Sequence, residues 1–147
     1  MDIKSTLQSD LQDAIRHGEG TRKSTLRMVL TAIKLAEVEK GAKMDETAYL
    51  AVIQKEIKAC HEAIADAEKA NRPELIPQAE EEIVILQGYL PAALSPAELE
   101  NMANIAITEV GATSIREMGQ VMKVLMPRLQ GRATGDQASQ MVRKLLQ

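Results

Sequence analysis

The sequence predicts an all-α fold, and three observations carry this prediction. Apolar residues recur at steps of three and four along most of the chain, as they do on one face of a helix. Capping residues and glycine or proline stops bound these segments. The only aromatic residues are two tyrosines. The core is therefore expected to consist of Leu, Ile, Val, Met and Ala, which favours helices packed on helices over a β-sandwich.

Two amphipathic segments open the chain. The first has apolar residues every four positions, and Gly18 and Gly20 are expected to end it. Thr21 is the expected N-cap of the second helix, which runs to Lys40 and Gly41. The two predicted buried faces are Ile3, Leu7, Leu11 and Ile15, and then Leu26, Val29, Leu30 and Ile33.

The next two helices are predicted to form a long hairpin. Asp45 is the expected N-cap of the third helix, which ends near Asn71–Pro73, and the fourth starts between Glu74 and Pro77 and stops at Leu90–Pro91. Both stripes alternate steps of four and three, which is typical of helices that pack along each other. The stripes are Tyr49, Ile53, Ile57, Cys60, Ile64 and Ala67, and Ile76, Ala79, Ile83, Leu86 and Leu90.

Residues 91–94 form the clearest boundary in the sequence. Ser95, Pro96 and Glu98 supply an N-cap, a first-turn proline and a capping-box acid for the fifth helix. At 147 residues the chain is one domain by length, or slightly more. We expect an N-terminal helical domain over residues 1–93 and a small three-helix domain over residues 94–147.

Further signals bound the last two helices. Gly111 can close the fifth helix, and Ser114 with Glu117 reads as a capping box for the sixth. Pro127 should end or kink this helix near Met126. A turn bracketed by Gly131 and Gly135 follows, and Thr134 with Gln137 predicts the capping box of the seventh helix.

Charge is distributed unevenly along the chain. The net charge is −3, whereas residues 46–94 alone carry four basic and nine acidic side chains. After Glu117 the only acidic residue is Asp136, and it is outnumbered by Lys123, Arg128, Arg132, Arg143 and Lys144. The predicted molecule is therefore an acidic body with a basic C-terminal end.

A second group of cations lies on the second helix, at Arg22, Lys23, Arg27 and Lys34. These residues fit an ordinary solvated helix face, with Glu37 and Glu39 nearby, and they also fit an anion-binding stripe. The sequence leaves both interpretations open.

Residue types exclude several classes of protein. One cysteine, Cys60, allows no internal disulfide, and the start of the sequence lacks the pattern of a signal peptide, so we predict a cytoplasmic protein. The longest apolar runs fall far short of the roughly 20 residues that span a bilayer. We therefore predict no membrane partner.

The sequence shows no catalytic constellation. The only histidines are His17 and His61, and adjacent residues such as Cys60 and His61 point about 100° apart on a helix. Two histidines and one cysteine supply no plausible metal set, and no nucleotide-binding fingerprint occurs. We predict no metal and no cofactor, and we favour a protein that is not an enzyme.

Residues 131–135 form the loop whose residue types most favour an anion-binding site. The loop brings Arg132 and backbone N–H groups to a helix N-terminus, where phosphate is favoured, although an ordinary helix–helix turn explains the same residues. Lys123, Arg128 and Lys144 could extend such a site along a nucleic-acid backbone. With so few aromatic residues, the partner would be recognised by shape and phosphate rather than by base stacking.

Four stretches of the chain resemble the GatB/YqeY family, specifically the stand-alone YqeY-like proteins. They are STLRMVLTAIKLAEVEK (24–40), VIQKEIKACHEAIADAEKANRPEL (52–75), YLPAALSPAELE (89–100) and TEVGATSIREMGQVMKVLMPRLQGRATG (108–135). The resemblance implies an all-α fold with a larger N-terminal part and a small C-terminal part. It also implies kinship with the tail domain of the B subunit of tRNA-dependent amidotransferases, which grips tRNA while other domains do the chemistry.

The resemblance implies tRNA contact by matching residues of the C-terminal part. Lys123, Arg128, Gly131 and Arg132 occupy basic and glycine positions of the tail-like segment. Gln120 stands where many relatives have a lysine, and Thr134 where they have an acid; the first change weakens the basic patch and the second keeps the cap. The full predicted nucleic-acid-binding set is Lys123, Arg128, Gly131, Arg132, Arg143, Lys144, Arg22, Lys23 and Arg27.

Three functional hypotheses follow from these observations. The first is a non-catalytic tRNA-binding or amidotransferase-accessory protein, whose partners are tRNA and an amidotransferase or another protein. The second is a protein–protein adaptor with no nucleic-acid role, in which the arginines only aid solvation. The third is a carbon–nitrogen ligase with glutamine as amido-N-donor, as the family label suggests; the chain shows no nucleophile, base or ATP site for it.

Overall fold

A computed structural model describes residues 2–147. These residues form seven α-helices and contain no β-strand, which confirms the all-α prediction. Single 3₁₀ turns, Pro73–Leu75 and Ile115–Glu117, precede α4 and α6. The helices are α1 (Ile3–Arg16), α2 (Gly20–Lys40), α3 (Glu46–Lys69), α4 (Ile76–Gln87), α5 (Pro96–Val110), α6 (Met118–Leu129) and α7 (Gly135–Leu146). None of these helices is long and apolar enough to cross a bilayer.

The chain divides into two compact units, Met1–Leu90 and Pro91–Gln147. Each unit has its own hydrophobic core. The predicted division into domains over residues 1–93 and 94–147 stays a prediction.

The N-terminal unit is built on two helical hairpins. α3 packs along α4, and α1 packs along α2. The predicted stripes of α3 and α4 face the core, where Ile53 and Leu86 are fully buried. α4 ends at Gln87, a little before the predicted stop at Leu90–Pro91.

The predicted stripe of α1 is wrong at its end. Ile3 and Leu7 are buried, but Ile15 is 42% exposed and Ala14 takes the inward position. A step of four residues advances about 40° beyond a full turn, so three such steps rotate the stripe by about 120°. Ala14, seven residues after Leu7, stays on the buried face.

The C-terminal unit is a bundle in which α5, α6 and α7 each pack against the other two. Several core positions are alanines, including Ala103, Ala106 and Ala138, all fully buried. Small side chains at these positions let the helices approach closely around Val121, Leu125 and Leu129. Each short helix therefore depends on the other two to bury its apolar face.

Three of the predicted helix caps are confirmed. The Asp45 side chain accepts the Ala48 N–H at 2.9 Å. Ser95 and Glu98 form a reciprocal capping box, with bonds of 3.1 and 2.8 Å. Thr134 and Gln137 form a second box, with bonds of 3.1 and 3.0 Å.

Two predicted caps are wrong. α2 begins at Gly20, so Thr21 lies inside the helix, and the N-cap residue Glu19 makes no side-chain cap bond. Ser114 also makes no cap bond; instead the Glu117 carboxylate accepts the Thr113 N–H at 3.0 Å. A 3₁₀ turn at 115–117 precedes α6, and it changes the spacing that a capping box requires.

Pro127 lies inside α6 and does not end it, whereas the other predicted outcome, a kink near Met126, stays a prediction. The helix continues to Leu129, and Gln130 and Gly131 then adopt left-handed conformations with φ of 49° and 76°. Near a helix end, the proline removes one hydrogen bond, to the carbonyl of Lys123, and both residues are exposed so that water can replace it. Burial of Leu125 and Leu129 holds the helix together beyond the proline. The sequence predicts Arg128 in the loop after this helix, but Arg128 belongs to the last turn of α6.

The Ser95 cap allows a matched test of local stability. Ser95→Ala removes a formed capping box and should lower the free energy of unfolding by about 1 kcal/mol. Ser114→Ala removes a hydroxyl that caps nothing and should cost less than about 0.5 kcal/mol. Urea denaturation of both variants, followed by circular dichroism, measures the difference. Equal losses would show that the box contributes nothing.

Tyr89 should titrate in the alkaline range. Burial, with a hydrogen bond from its hydroxyl to Asp10 at 2.5 Å, raises the pKa of Tyr89 from 10.0 to about 12. The folded state favours the neutral phenol of Tyr89. The resulting contribution to the free energy of unfolding is complete below pH 10 and is lost as the pH rises towards 12. Because the chain has only two tyrosines, subtracting the absorbance titration of Tyr89→Phe from that of the wild type isolates Tyr89. A midpoint near 10 in that difference would show that the phenol is neither buried nor bonded.

Candidate nucleic-acid interface

The predicted cations lie in both compact units. Those in the N-terminal unit are on α2, at Arg22, Lys23 and Arg27. Those in the C-terminal unit are Lys123 and Arg128 on α6, Arg132 in the following turn, and Arg143 and Lys144 on α7. The uncharged Gly131 of the predicted set lies in the same turn as Arg132. Some of these cations bind other groups of the protein, and the others have no partner among the described residues.

Arg22 belongs to a network that joins parts of the N-terminal unit. Its guanidinium lies 3.0 Å from Glu19 and 3.8 Å from Asp10. Asp10 also accepts the hydroxyl of Tyr89, and the pKa of Arg22 is raised, chiefly by its hydrogen bond to Glu19. Two carboxylates thus offset this charge, which gives Arg22 a structural role.

Lys23 and Arg27 have no such partners. Lys23 is half-buried, Arg27 is exposed, and neither side chain forms an ion pair with any residue in 2–147. Arg27 lines a groove between α1 and α2. These two charges are therefore available to a ligand.

Arg128 is paired with a carboxylate. Its Nη2 lies 2.5 Å from Oε2 of Glu109 on α5. The hydrogen bond from Arg128 lowers the pKa of the Glu109 carboxyl, so the acid is ionised and offsets the arginine. A phosphate would have to compete with Glu109 for this guanidinium.

Arg132 fastens the start of the C-terminal unit to the turn after α6. Its Nε donates to the Ala92 carbonyl at 3.0 Å, and its own carbonyl accepts the Leu94 N–H at 2.9 Å. The pKa of Glu98 is lowered, first by the hydrogen bond from Ser95 and further by the charge of Arg132. Arg132 therefore positions residues 92–94, although its charge is not fully offset.

The N-terminus of α7 is less suited to an anion than its sequence suggests. The capping box already uses the N–H groups of Thr134 and Gln137. Asp136 adds a negative charge in the first turn. Both features weaken the attraction of the helix dipole for phosphate. A role of Gly131 in binding stays a prediction, and its left-handed conformation explains the residue on backbone grounds alone.

Lys123, Arg143 and Lys144 are the cations of the predicted set in this unit that are both exposed and unpaired; Arg128 is also exposed but is paired with Glu109. None of the three forms an ion pair or hydrogen bond within the described chain. Arg143 and Lys144 are adjacent on α7, so their side chains spread about 100° around the helix. The predicted set does not include Arg116, which lies just before α6 and is also exposed and unpaired among the described residues. Because Glu117 follows it directly, Arg116 adds no net positive charge to that stretch of the sequence.

Cys60 offers no nucleophile. Its thiol is buried and donates to Oε2 of Glu82 at 3.6 Å. Burial, and then the nearby charge of Glu82, raises the pKa of Cys60 to about 11, which keeps the thiol protonated at neutral pH. Among residues 2–147, no group of three or more His, Cys, Asp or Glu side chains is placed to hold a metal ion.

The reactivity of Cys60 should report unfolding. We expect the native thiol to react with Ellman's reagent at pH 8 at least about 100-fold more slowly than the thiol in denaturing urea, since burial and the raised pKa both suppress the thiolate. The absorbance of the released thiolate product measures both rates. Similar rates in the two solvents would place Cys60 at the surface.

The fold and the candidate site together define a class of protein. The chain is an all-α protein of two compact units, with unpaired cations on the outer faces of the C-terminal helices. The family model described as "Yqey-like protein" matches residues 4–146. The chain belongs to the family of Yqey-like proteins.

Several curated fungal proteins are similar to the chain, and all carry the name "Altered inheritance of mitochondria protein 41, mitochondrial". The protein from Lachancea thermotolerans is 32% identical over 114 residues, which cover 75% of this chain and 60% of the relative. That from Vanderwaltozyma polyspora is 32% identical over 97 residues, covering 64% and 52%. That from Pyrenophora tritici-repentis is 27% identical over 130 residues, covering 86% and 71%.

The chain spans between half and two thirds of the length of the first two relatives. Their names place those proteins in mitochondria. The cytoplasmic location of the present chain stays a prediction.

Proposed function

We propose that this protein is a non-catalytic, tRNA-binding accessory protein related to glutamine-dependent tRNA amidotransferases. The C-terminal unit is the tRNA-binding part, and bond formation belongs to a separate enzyme. The proposal rests on the resemblance of residues 108–135 to the tail domain of the amidotransferase B subunit. In this proposal, the carbon–nitrogen ligase activity that the family label suggests belongs to that separate enzyme.

One structural observation supports tRNA contact most directly. Lys123, Arg143 and Lys144 are exposed cations without carboxylate partners in residues 2–147, in a chain whose net charge is −3. The net charge repels a polyanion, so any affinity for RNA has to come from a local cationic surface. Cations that already lack partners can bind phosphate without first breaking an ion pair.

Other residues of the predicted set fit this function less well. Arg128 would exchange Glu109 for a phosphate, and Arg132 would give up its hydrogen bond to Ala92. Both exchanges offset part of the gain from a phosphate contact. We therefore assign the main contacts to Lys123, Arg143 and Lys144, and we give Arg128 and Arg132 positioning roles.

The test is a titration of unfractionated tRNA at several salt concentrations, read by filter binding. The wild type should bind with an affinity that falls as salt rises. The triple variant Lys123→Glu, Arg143→Glu, Lys144→Glu should bind at least about tenfold more weakly at low salt. Its slope of log K against log salt should flatten by about 2 to 3, because each phosphate that the variant no longer neutralises accounts for about one unit of slope.

A charge-matched control separates location from net charge. Lys40, Lys55 and Lys69 are exposed cations of the N-terminal unit that form no ion pair in the described chain. Changing these three to Glu alters the net charge by the same amount and should reduce affinity less than about threefold. Equal reductions in the two triple variants, or no retention of tRNA by the wild type at low salt, would refute the proposal.

A further inference from the structure

A groove runs between α1 and α2 in the N-terminal unit. It has a volume of about 930 Å³. The half-buried side chains of Leu11 and Leu30 line it, and the 71% exposed side chain of Val38 stands at one end. The groove thus presents apolar surface that the fold leaves uncovered.

The groove follows the axis of a helical hairpin. Nζ of Lys4 in the first turn of α1 lies 2.8 Å from Oε1 of Glu37 near the end of α2, so the two helices run antiparallel. The lining residues of α2 extend from Arg27 to Lys34 and Val38. This stretch corresponds to about 16 Å of helix, which is close to three turns.

The charge along the groove is positive. Arg27 and Lys34 lie seven residues apart on the same side of α2, and therefore about 10 Å apart along the axis. Neither forms an ion pair within residues 2–147. The third cation, Lys4, is offset by Glu37, which also accepts the Tyr49 hydroxyl at 3.0 Å. Two cations along one edge are therefore left without a counter-charge.

We propose that this groove binds an acidic amphipathic α-helix of another protein. The apolar side of such a helix contacts Leu11, Leu30 and Val38. Two carboxylates spaced seven residues apart meet Arg27 and Lys34, because the same two-turn repeat brings them to one edge of the helix. Burial of the apolar surface supplies most of the affinity, and the charges select the partner and its register.

RNA fits this groove less well than a helix does. Leucine side chains offer no partner to phosphate or ribose groups, and no aromatic side chain lines the groove for base stacking. The groove and the cations assigned to tRNA lie in different units. The two proposals can therefore fail independently.

A charge-swap experiment tests the proposal with defined probes. The first is a fluorescein-labelled helical peptide of about 15 residues, with leucines at steps of three and four and two glutamates seven residues apart beside them. The second has lysines in place of these glutamates. By fluorescence anisotropy, the wild type should prefer the glutamate peptide by about tenfold. Arg27→Glu with Lys34→Glu should reverse this preference.

A matched pair of variants tests the apolar contact. Val38→Glu places a charge in the groove and should weaken binding of the glutamate peptide about tenfold. Leu35→Glu, at a 62% exposed position outside the groove, should leave it unchanged. Both positions are exposed, so neither variant should alter the thermal melting curve by circular dichroism.

Three outcomes would overturn the proposal. Neither peptide binds at concentrations up to about 1 mM, where even a weak specific contact is detectable. The peptide preference is the same in the wild type and in the charge-swapped variant. Finally, tRNA displaces the bound peptide, which would assign the groove to nucleic acid.

Discussion

The structure depends on a core with almost no aromatic side chains. Leu, Ile, Val and Ala fill both compact units, and no Phe or Trp is present to span wide gaps. Helices must therefore approach closely, as the buried alanines of α5 and α7 allow, and each has to keep one narrow stripe inward. Polar interactions also join helices of the N-terminal unit, in the Lys4–Glu37–Tyr49 cluster and the Arg22–Asp10–Tyr89 network.

The cations fall into two groups, those with a partner in the structure and those without one among the described residues. Arg22 and Arg128 meet carboxylates of neighbouring segments, and Arg132 meets a backbone carbonyl. Arg27, Lys123 and Arg143 remain exposed without a counter-charge in residues 2–147. Only charges of the second kind can bind a partner without breaking an interaction that the fold uses. We therefore propose Lys123, Arg143 and Lys144, rather than Arg128 and Arg132, as the main contacts of a partner.

Local signals predicted the fold well where a single helix decides the outcome. The stripes of α3 and α4 and the caps at Asp45, Ser95 and Thr134 depend on spacing within one segment. Two predictions failed for different reasons, one geometric and one a matter of packing. Ile15 turns outward because the four-residue step drifts, and α6 continues past Pro127 because Leu129 is buried.

The candidate site was less predictable, because ion pairing joins residues that are distant in sequence. Glu109 lies 19 residues from Arg128, and Ala92 lies 40 residues from Arg132. A count of charges along the chain identifies the basic C-terminal end but cannot show which charges are already offset. The groove between α1 and α2 was also beyond sequence reasoning, although the sequence does place Arg27 and Lys34 in a candidate anion-binding stripe.

In the proposed function, unpaired cations on the outer faces of α6 and α7 contact the phosphates of tRNA. The most direct measurement is a nitrogen–proton correlation spectrum of the full chain, recorded with and without tRNA. We expect tRNA to cause the largest chemical-shift changes at the amides around Lys123, Arg143 and Lys144. Shifts confined to α1 and α2, or a spectrum that tRNA leaves unchanged at low salt, would contradict it.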